Sequence, residues 1–188
     1  MRPSSISRSL SAFVGLGLLC AAFGDLGRSW ARDAEKPAPA AAERVRARDI
    51  GIAPGLFAPG PLNAITDVGD IRVGQVTRIE GADVRTGVTA ILPHGGNLFQ
   101  DKVPAGVVVA NGFGKFAGTT QVAELGEVET PIVLTNTLNV AQAIDGIVDW
   151  TLRQPGNESV RSVNAVAGET NDGHLNAIRK RAITHADV

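Results

Sequence analysis

The sequence predicts a mixed α/β or α+β domain, and three observations carry that expectation. Two neighbouring runs, 71–79 (IRVGQVTRI) and 84–92 (VRTGVTAIL), are rich in β-branched residues and read as strands. Val140, Ile144, Ile147, Val148 and Leu152 recur on one side of a helix. That helix lies between two further apolar runs, 131–135 (PIVLT) and 160–167, each read as a strand, so strands and helices are mixed along the chain.

The chain has 188 residues, a length that suits one domain. Residues 1–31 read as a secretory signal. Arg2 and Arg8 give a basic start, 10–23 is apolar, and Ser29-Trp30-Ala31 has the small-x-small form of a cleavage site, which places the cut near Ala31. The apolar run is about 14 residues, short of the roughly 20 that a bilayer crossing needs. An uncleaved anchor is the alternative. Cys20 follows Leu19 rather than a small residue, which argues against a lipidated cysteine. The expected location is therefore secreted or periplasmic. Cleavage removes the only cysteine, so the exported chain has no disulfide or thiol chemistry. It also removes Arg2, Arg8, Arg28 and Asp25, taking 18 basic and 19 acidic residues to 15 and 18, a net charge of −3. That balance gives no electrostatic case for nucleic acid. After residue 31 no run is long and apolar enough to cross a bilayer as a helix.

Residues 32–48 are rich in Ala, Pro and charge and read as a flexible tether; the domain is expected over 49–188. Glu80-Gly81-Ala82-Asp83 suits a hairpin turn between the first two strands, and Pro93-His94-Gly95-Gly96-Asn97 breaks the chain again. The run 103–110 (VPAGVVVA) is almost continuously apolar, as a buried strand would be. Residues 119–125 read as a short helix, with Thr119 as N-cap and Gly126 closing it. After the long helix, Pro155-Gly156 stops the pattern, 160–167 follows as a strand and 175–181 as a helix. Thr184-x-x-Asp187 has the form of a helix start. A helix beginning there has no room to bury a face, so the expectation is that the polypeptide is a piece of something longer.

Several chemistries have no support. There is no Gly-x-Ser-x-Gly, and Ser159 and Ser162, the only serines after residue 31, read as solvent-facing. His94, His174 and His185 lack metal-ligand spacing and read as surface or turn residues. Asn111-Gly112-Phe113-Gly114 is too short of glycines for a dinucleotide loop. Gly118-Thr119 has the form of a self-cleaving bond that frees a threonine nucleophile, but a helix cap explains it without chemistry. The most chemical segment is Ala167-Gly168-Glu169-Thr170-Asn171-Asp172-Gly173, a carboxylate at the end of an apolar run before a glycine-closed turn.

Several ordered blocks carry a family resemblance. Asn63-Ala64-Ile65-Thr66-Asp67-Val68, Val73-Gly74 and 85–93 (RTGVTAILP) come first. Asn111-Gly112-x-Gly114, 131–137 (PIVLTNT) and Glu169-Thr170-x-Asp172-Gly173-x-Leu175-Asn176 follow in order. Over roughly 45–188 the chain resembles the N-terminal, α-subunit part of the DmpA-type L-aminopeptidase/D-esterases, which include the β-peptidyl aminopeptidases. The resemblance implies a four-layer αββα sandwich similar to the N-terminal nucleophile hydrolases. It implies a precursor that cuts itself before a serine, the new N-terminal serine being the nucleophile. It also implies short peptide, amide or ester substrates with a free amino group, no metal or organic cofactor, and oligomers of paired subunits. That serine belongs beyond residue 188, so no catalytic residue is expected in this chain and a C-terminal β subunit is expected as partner.

Three residues carry over as substrate-binding. Glu169 matches the family glutamate that receives the substrate's amino group; as residues alone, it also reads as a strand-end acid paired to an arginine or a backbone N–H. Asn171 falls where some members carry a tyrosine that helps at the reacting centre; an asparagine there either donates to a developing oxyanion or shapes the turn. Asn136 either lines the pocket or caps the following helix. Two other readings remain beside the aminopeptidase: a non-catalytic relative that keeps the amino-group pocket, and an acyltransferase of similar fold.

Overall fold

The computed structural model describes residues 45–188, so the secretory signal and most of the tether lie outside the described residues. Residues 1–54 and 55–188 separate as two units. In the first, Ala47–Ile50 form a single 3-10 turn, closed by Gly51 in the left-handed region and steadied by Arg46 N–H donating to Asp49 Oδ2 at 3.1 Å.

The second unit is built on a four-stranded sheet in the order β1 (Arg72–Glu80), β2 (Val84–Leu92), β5 (Ile132–Asn136) and β6 (Val166–Thr170). Strands β1 and β2 pair antiparallel from Arg72↔Leu92 to Glu80↔Val84. Gly81, at φ +53°, begins the turn between them. Strand β5 pairs antiparallel with β2 and parallel with β6. A parallel pair needs a crossover, and helix α2 (Val140–Leu152) supplies it.

The alternation of the strands places the core. Val88, Val133 and Ala167 face α2 and meet its Val140, Ala143 and Ile147, with Ala165 and Ile183 completing the cluster. The expected stripe holds for Val140, Ile144, Ile147 and Val148, whereas Leu152 is exposed and Thr151 is buried in its place. On the opposite face, Ile132 and Val166 pack under Val122 of α1 (Thr119–Leu125) and Val128 of β4 (Glu127–Val128). This second cluster covers only the start of β5 and β6. Further along the same face Leu134 is left 44 % exposed.

Five further sequence expectations are corrected. The run 103–110 forms only β3 (Val103–Pro104), because its partner β4 spans just two residues; past the end of β4, Ala105 N–H still donates to Gly126 O at 2.7 Å. Val108 and Val109 are exposed. The strand expected at 160–167 begins later, at Val166, because side chains take its backbone donors: Asn164 N–H reaches Glu129 Oε1 and Val166 N–H reaches Thr130 Oγ1. Thr119 is the first residue of α1, not its cap. Gly118 holds the cap position at φ +80°, where an added Cβ would lie 2.7 Å from Ala165 O. Only a glycine fits so sharp a turn against a neighbouring backbone. The helix expected at 175–181 is a 3-10 turn, Ile178–Lys180.

The fifth concerns the segment after Thr184. It is a 3-10 turn, His185–Asp187, and the residues that flank it bury apolar groups: Ile183, just before Thr184, is 1 % exposed and Val188 packs on the α2 cluster. Asn139 Nδ2 donates to Ile183 O at 2.8 Å. Thr184 N–H and Oγ1 both donate to Asp187 Oδ2, and Arg78 pairs with Asp187 Oδ1 at 2.7 Å. Burial raises the Asp187 pKa, but Arg78 and Thr184 outweigh it and hold the carboxyl below its ordinary value.

His185 bridges two carboxylates one helical turn apart, with Nδ1 3.0 Å from Asp145 Oδ2 and Nε2 2.9 Å from Asp149 Oδ2. Asp149 also meets Arg153. The hydrogen bond to Asp149, then that to Asp145, raises the His185 pKa above its ordinary value. A pKa raised by folding means that the stabilisation is complete below about pH 6.5, the unfolded value, and is lost as pH rises through the folded one. Amide exchange in 183–188 should therefore quicken as pH rises above about 6.5, beyond its intrinsic rate. His185→Gln should remove that excess; an excess unchanged in the variant would contradict the bridge.

Candidate functional site

The uncovered end of β5 and β6 opens a groove of about 560 Å³. Its floor is Leu134 and Gly168, and its wall is the segment 108–116. That segment has no strand of its own. Ala117 bridges Ala167 antiparallel, its N–H donating to Ala167 O at 2.8 Å, which lays the preceding residues along the free edge of β6. Asn111 Oδ1 accepts Phe113 N–H at 3.0 Å and tightens the turn that starts this wall.

The laid-down segment meets Glu169. Lys115 N–H donates to Glu169 Oε1 at 3.1 Å, and Lys115 Nζ is 4.0 Å from the same oxygen. The Glu169 side chain is 13 % exposed, and its Oε2 is buried with no hydrogen-bond partner among the described residues. A buried carboxylate oxygen without a donor is costly, and Glu169 carries that cost in the empty groove.

Asn171 lines the same groove. Its Oδ1 accepts Gly173 N–H at 3.0 Å, so it shapes the turn, and its amide nitrogen can donate to a ligand. The turn is fixed from behind: Asn176 Nδ2 donates to Asp172 Oδ1 at 3.0 Å, and Arg85 N–H to Asn176 Oδ1 at 3.1 Å.

Asn136 does not line this groove. It is 2 % exposed and lines a neighbouring recess of about 290 Å³ with Thr86, Thr135, Thr170 and Asp172. Its Nδ2 donates to Thr86 Oγ1 at 2.9 Å, while Oδ1 is buried without a partner among the described residues. It makes no side-chain cap to the turn that follows, so the capping alternative is not met. Leu134 borders both hollows. Thus Glu169 and Asn171 come together and Asn136 lies one strand over. The sequence pointed to none of Phe113, Lys115 and Phe116, which form the wall; Asn111-Gly112-Phe113-Gly114 was the visible signal, and its pairing with β6 was not.

The model of peptidase family S58 matches residues 63–188. The chain belongs to peptidase family S58. Among curated relatives of this S58 chain, the β-peptidyl aminopeptidase BapA of Sphingosinicella microcystinivorans is 40 % identical over 149 residues, 74 % of this chain and 36 % of that protein. Among solved structures, the PH0078 protein of Pyrococcus horikoshii OT3 superposes with a TM-score of 0.72 at 45 % identity, covering 77 % of this chain and 44 % of that one. The L-aminopeptidase D-Ala-esterase/amidase of Ochrobactrum anthropi gives a TM-score of 0.67 at 37 % identity, covering 76 % and 42 %. That enzyme is described as a prototype of the serine aminopeptidases and a variant of the Ntn hydrolase fold. The S58 chain therefore spans less than half the length of these relatives, and its mixed sheet with helices belongs to the fold they share.

Proposed function

We propose that this chain carries the amino-group-binding part of a secreted, self-processing serine aminopeptidase that acts on short peptides, amides or esters. The observation that carries the reading is the half-engaged Glu169 carboxylate, one oxygen tied by Lys115 N–H and the other buried without a partner among the described residues. An ammonium is the group that best completes such a carboxylate, because a charge-assisted hydrogen bond satisfies the open oxygen. Fixing the ammonium fixes the distance to the first carbonyl, which is what an aminopeptidase needs. Asn171 lines the groove with an amide nitrogen that can donate, and Asn136 lies in the adjoining recess.

The reading places the nucleophilic serine outside these 188 residues, on a second subunit released by self-cleavage. Ser159 and Ser162 are exposed, and neither lines the groove. Residues 1–31 serve as the export signal. Calorimetry of the chain with leucinamide and with N-acetyl-leucinamide tests the anchor. Leucinamide is expected to bind at least about tenfold more tightly, since acetylation removes the charge. Equal affinities would overturn the reading.

A further inference from the structure

Lys115 is the one basic residue among the described residues that line the groove, and Glu169 the one acidic residue. The lysine side chain is folded back over its own loop. Its Nζ donates to Phe113 O at 2.9 Å and sits 4.3 Å from the centre of the Phe113 ring. A carbonyl and a ring face hold an ammonium in place but carry no net charge to cancel it. The carboxylate that balances Lys115 is Glu169, at 4.0 Å. In the empty groove the two charges cancel.

We infer that Lys115 selects the charge of the substrate's first side chain, favouring neutral and acidic residues over basic ones. The inference rests on the proposed ammonium anchor. When a substrate ammonium pairs with Glu169, two cations share one carboxylate, and the occupied groove is left with a net positive charge on Lys115. The other lining residues are apolar, as Val108, Phe116 and Leu134 are, or polar without charge, as Asn111, Thr119 and Asn171 are, and none carries a charge to balance it. A basic side chain entering this space meets Lys115 with no carboxylate free. An acidic side chain gives Lys115 a new partner, and an apolar one is indifferent to the charge. The field of the whole chain works in the opposite sense: with a net charge of −1, or −3 without residues 1–31, it attracts cations. Discrimination against a basic ligand must therefore arise locally.

Calorimetry with the α-amides of leucine, arginine and glutamate tests this. Argininamide should bind roughly 3–10-fold more weakly than leucinamide at low salt, as expected for two cations about 6–8 Å apart in a half-solvated groove. The glutamate amide should bind at least as tightly as leucinamide. Added salt should narrow both differences. Lys115→Met should close the gap between argininamide and leucinamide, and Lys115→Arg should keep it. Argininamide binding as tightly as leucinamide, or a gap that survives in Lys115→Met, would overturn the inference. Glu169→Gln separates it from the reading beneath it. Binding that needs Glu169 but ignores side-chain charge refutes the Lys115 selection alone. Binding that is indifferent to Glu169 refutes the anchor.

Discussion

Glu169→Gln is expected to weaken the binding of a free-amine ligand by roughly 30-fold or more, because removing one partner of a desolvated charge pair costs about 2–5 kcal/mol. The substitution is close to isosteric. The glutamine carbonyl can still accept Lys115 N–H, so the wall of the groove stays in place and the loss falls on the ammonium. Stability of the empty chain should change little, because the loss of a partly unpaired buried carboxylate is offset by the loss of the charge that balances Lys115. The wild-type carboxylate is only 13 % exposed and half unpaired, and a buried charge without full pairing is a cost that glutamine does not carry. Calorimetry and a denaturant titration on the same variant check both halves. A Glu169→Gln chain that binds leucinamide as the wild type does would remove the carboxylate from the site.

The second large effect lies in the core. Ile147→Ala should destabilise the chain by about 2–5 kcal/mol. Ile147 is 2 % exposed and packs within the cluster of Val88, Val133 and Ala167. The cost includes the lost transfer of the removed atoms and the cavity left between α2 and the sheet. That is a large part of the 5–15 kcal/mol that a domain typically holds. Urea unfolding should show a lower midpoint with an unchanged slope. A shift worth less than about 1 kcal/mol would mean that α2 is not the main cover of this face. The site depends on the same contact: Val133 and Ala167 each precede a residue of the groove floor, Leu134 and Gly168, so a loosened α2 moves the strands that carry Glu169.

The parts of this architecture that were legible in the sequence are those set by local periodicity. The β1–β2 hairpin follows from two runs of β-branched residues around Gly81. Helix α2 follows from its stripe, with the single exchange of Thr151 for Leu152. Glu169 was visible as the acid at the end of an apolar run. Pairings between distant segments were not legible. The apolar run 103–110 has the composition of a strand, yet a strand exists only where a neighbour takes its backbone bonds, and β4 offers just two residues. The strand 160–167 shrank because Glu129 and Thr130 supply the acceptors that a ladder would have supplied. The groove wall is the plainest case. Lys115 reaches Glu169 only because Ala117 pairs with Ala167, and nothing in the spacing of either segment announces it. Asn171 and Asn136 were placed by family resemblance, which brought the first to the groove and left the second beside it.

A crystal structure with leucinamide bound tests the amino-group anchor most directly. Its ammonium nitrogen should lie about 2.7–3.2 Å from Glu169 Oε2, with Lys115 N–H still on Oε1 and the leucine side chain against Phe113, Phe116 and Leu134. Leucinamide bound with its ammonium away from Glu169, or Lys115 Nζ itself seated on Oε2 in the complex, would contradict it.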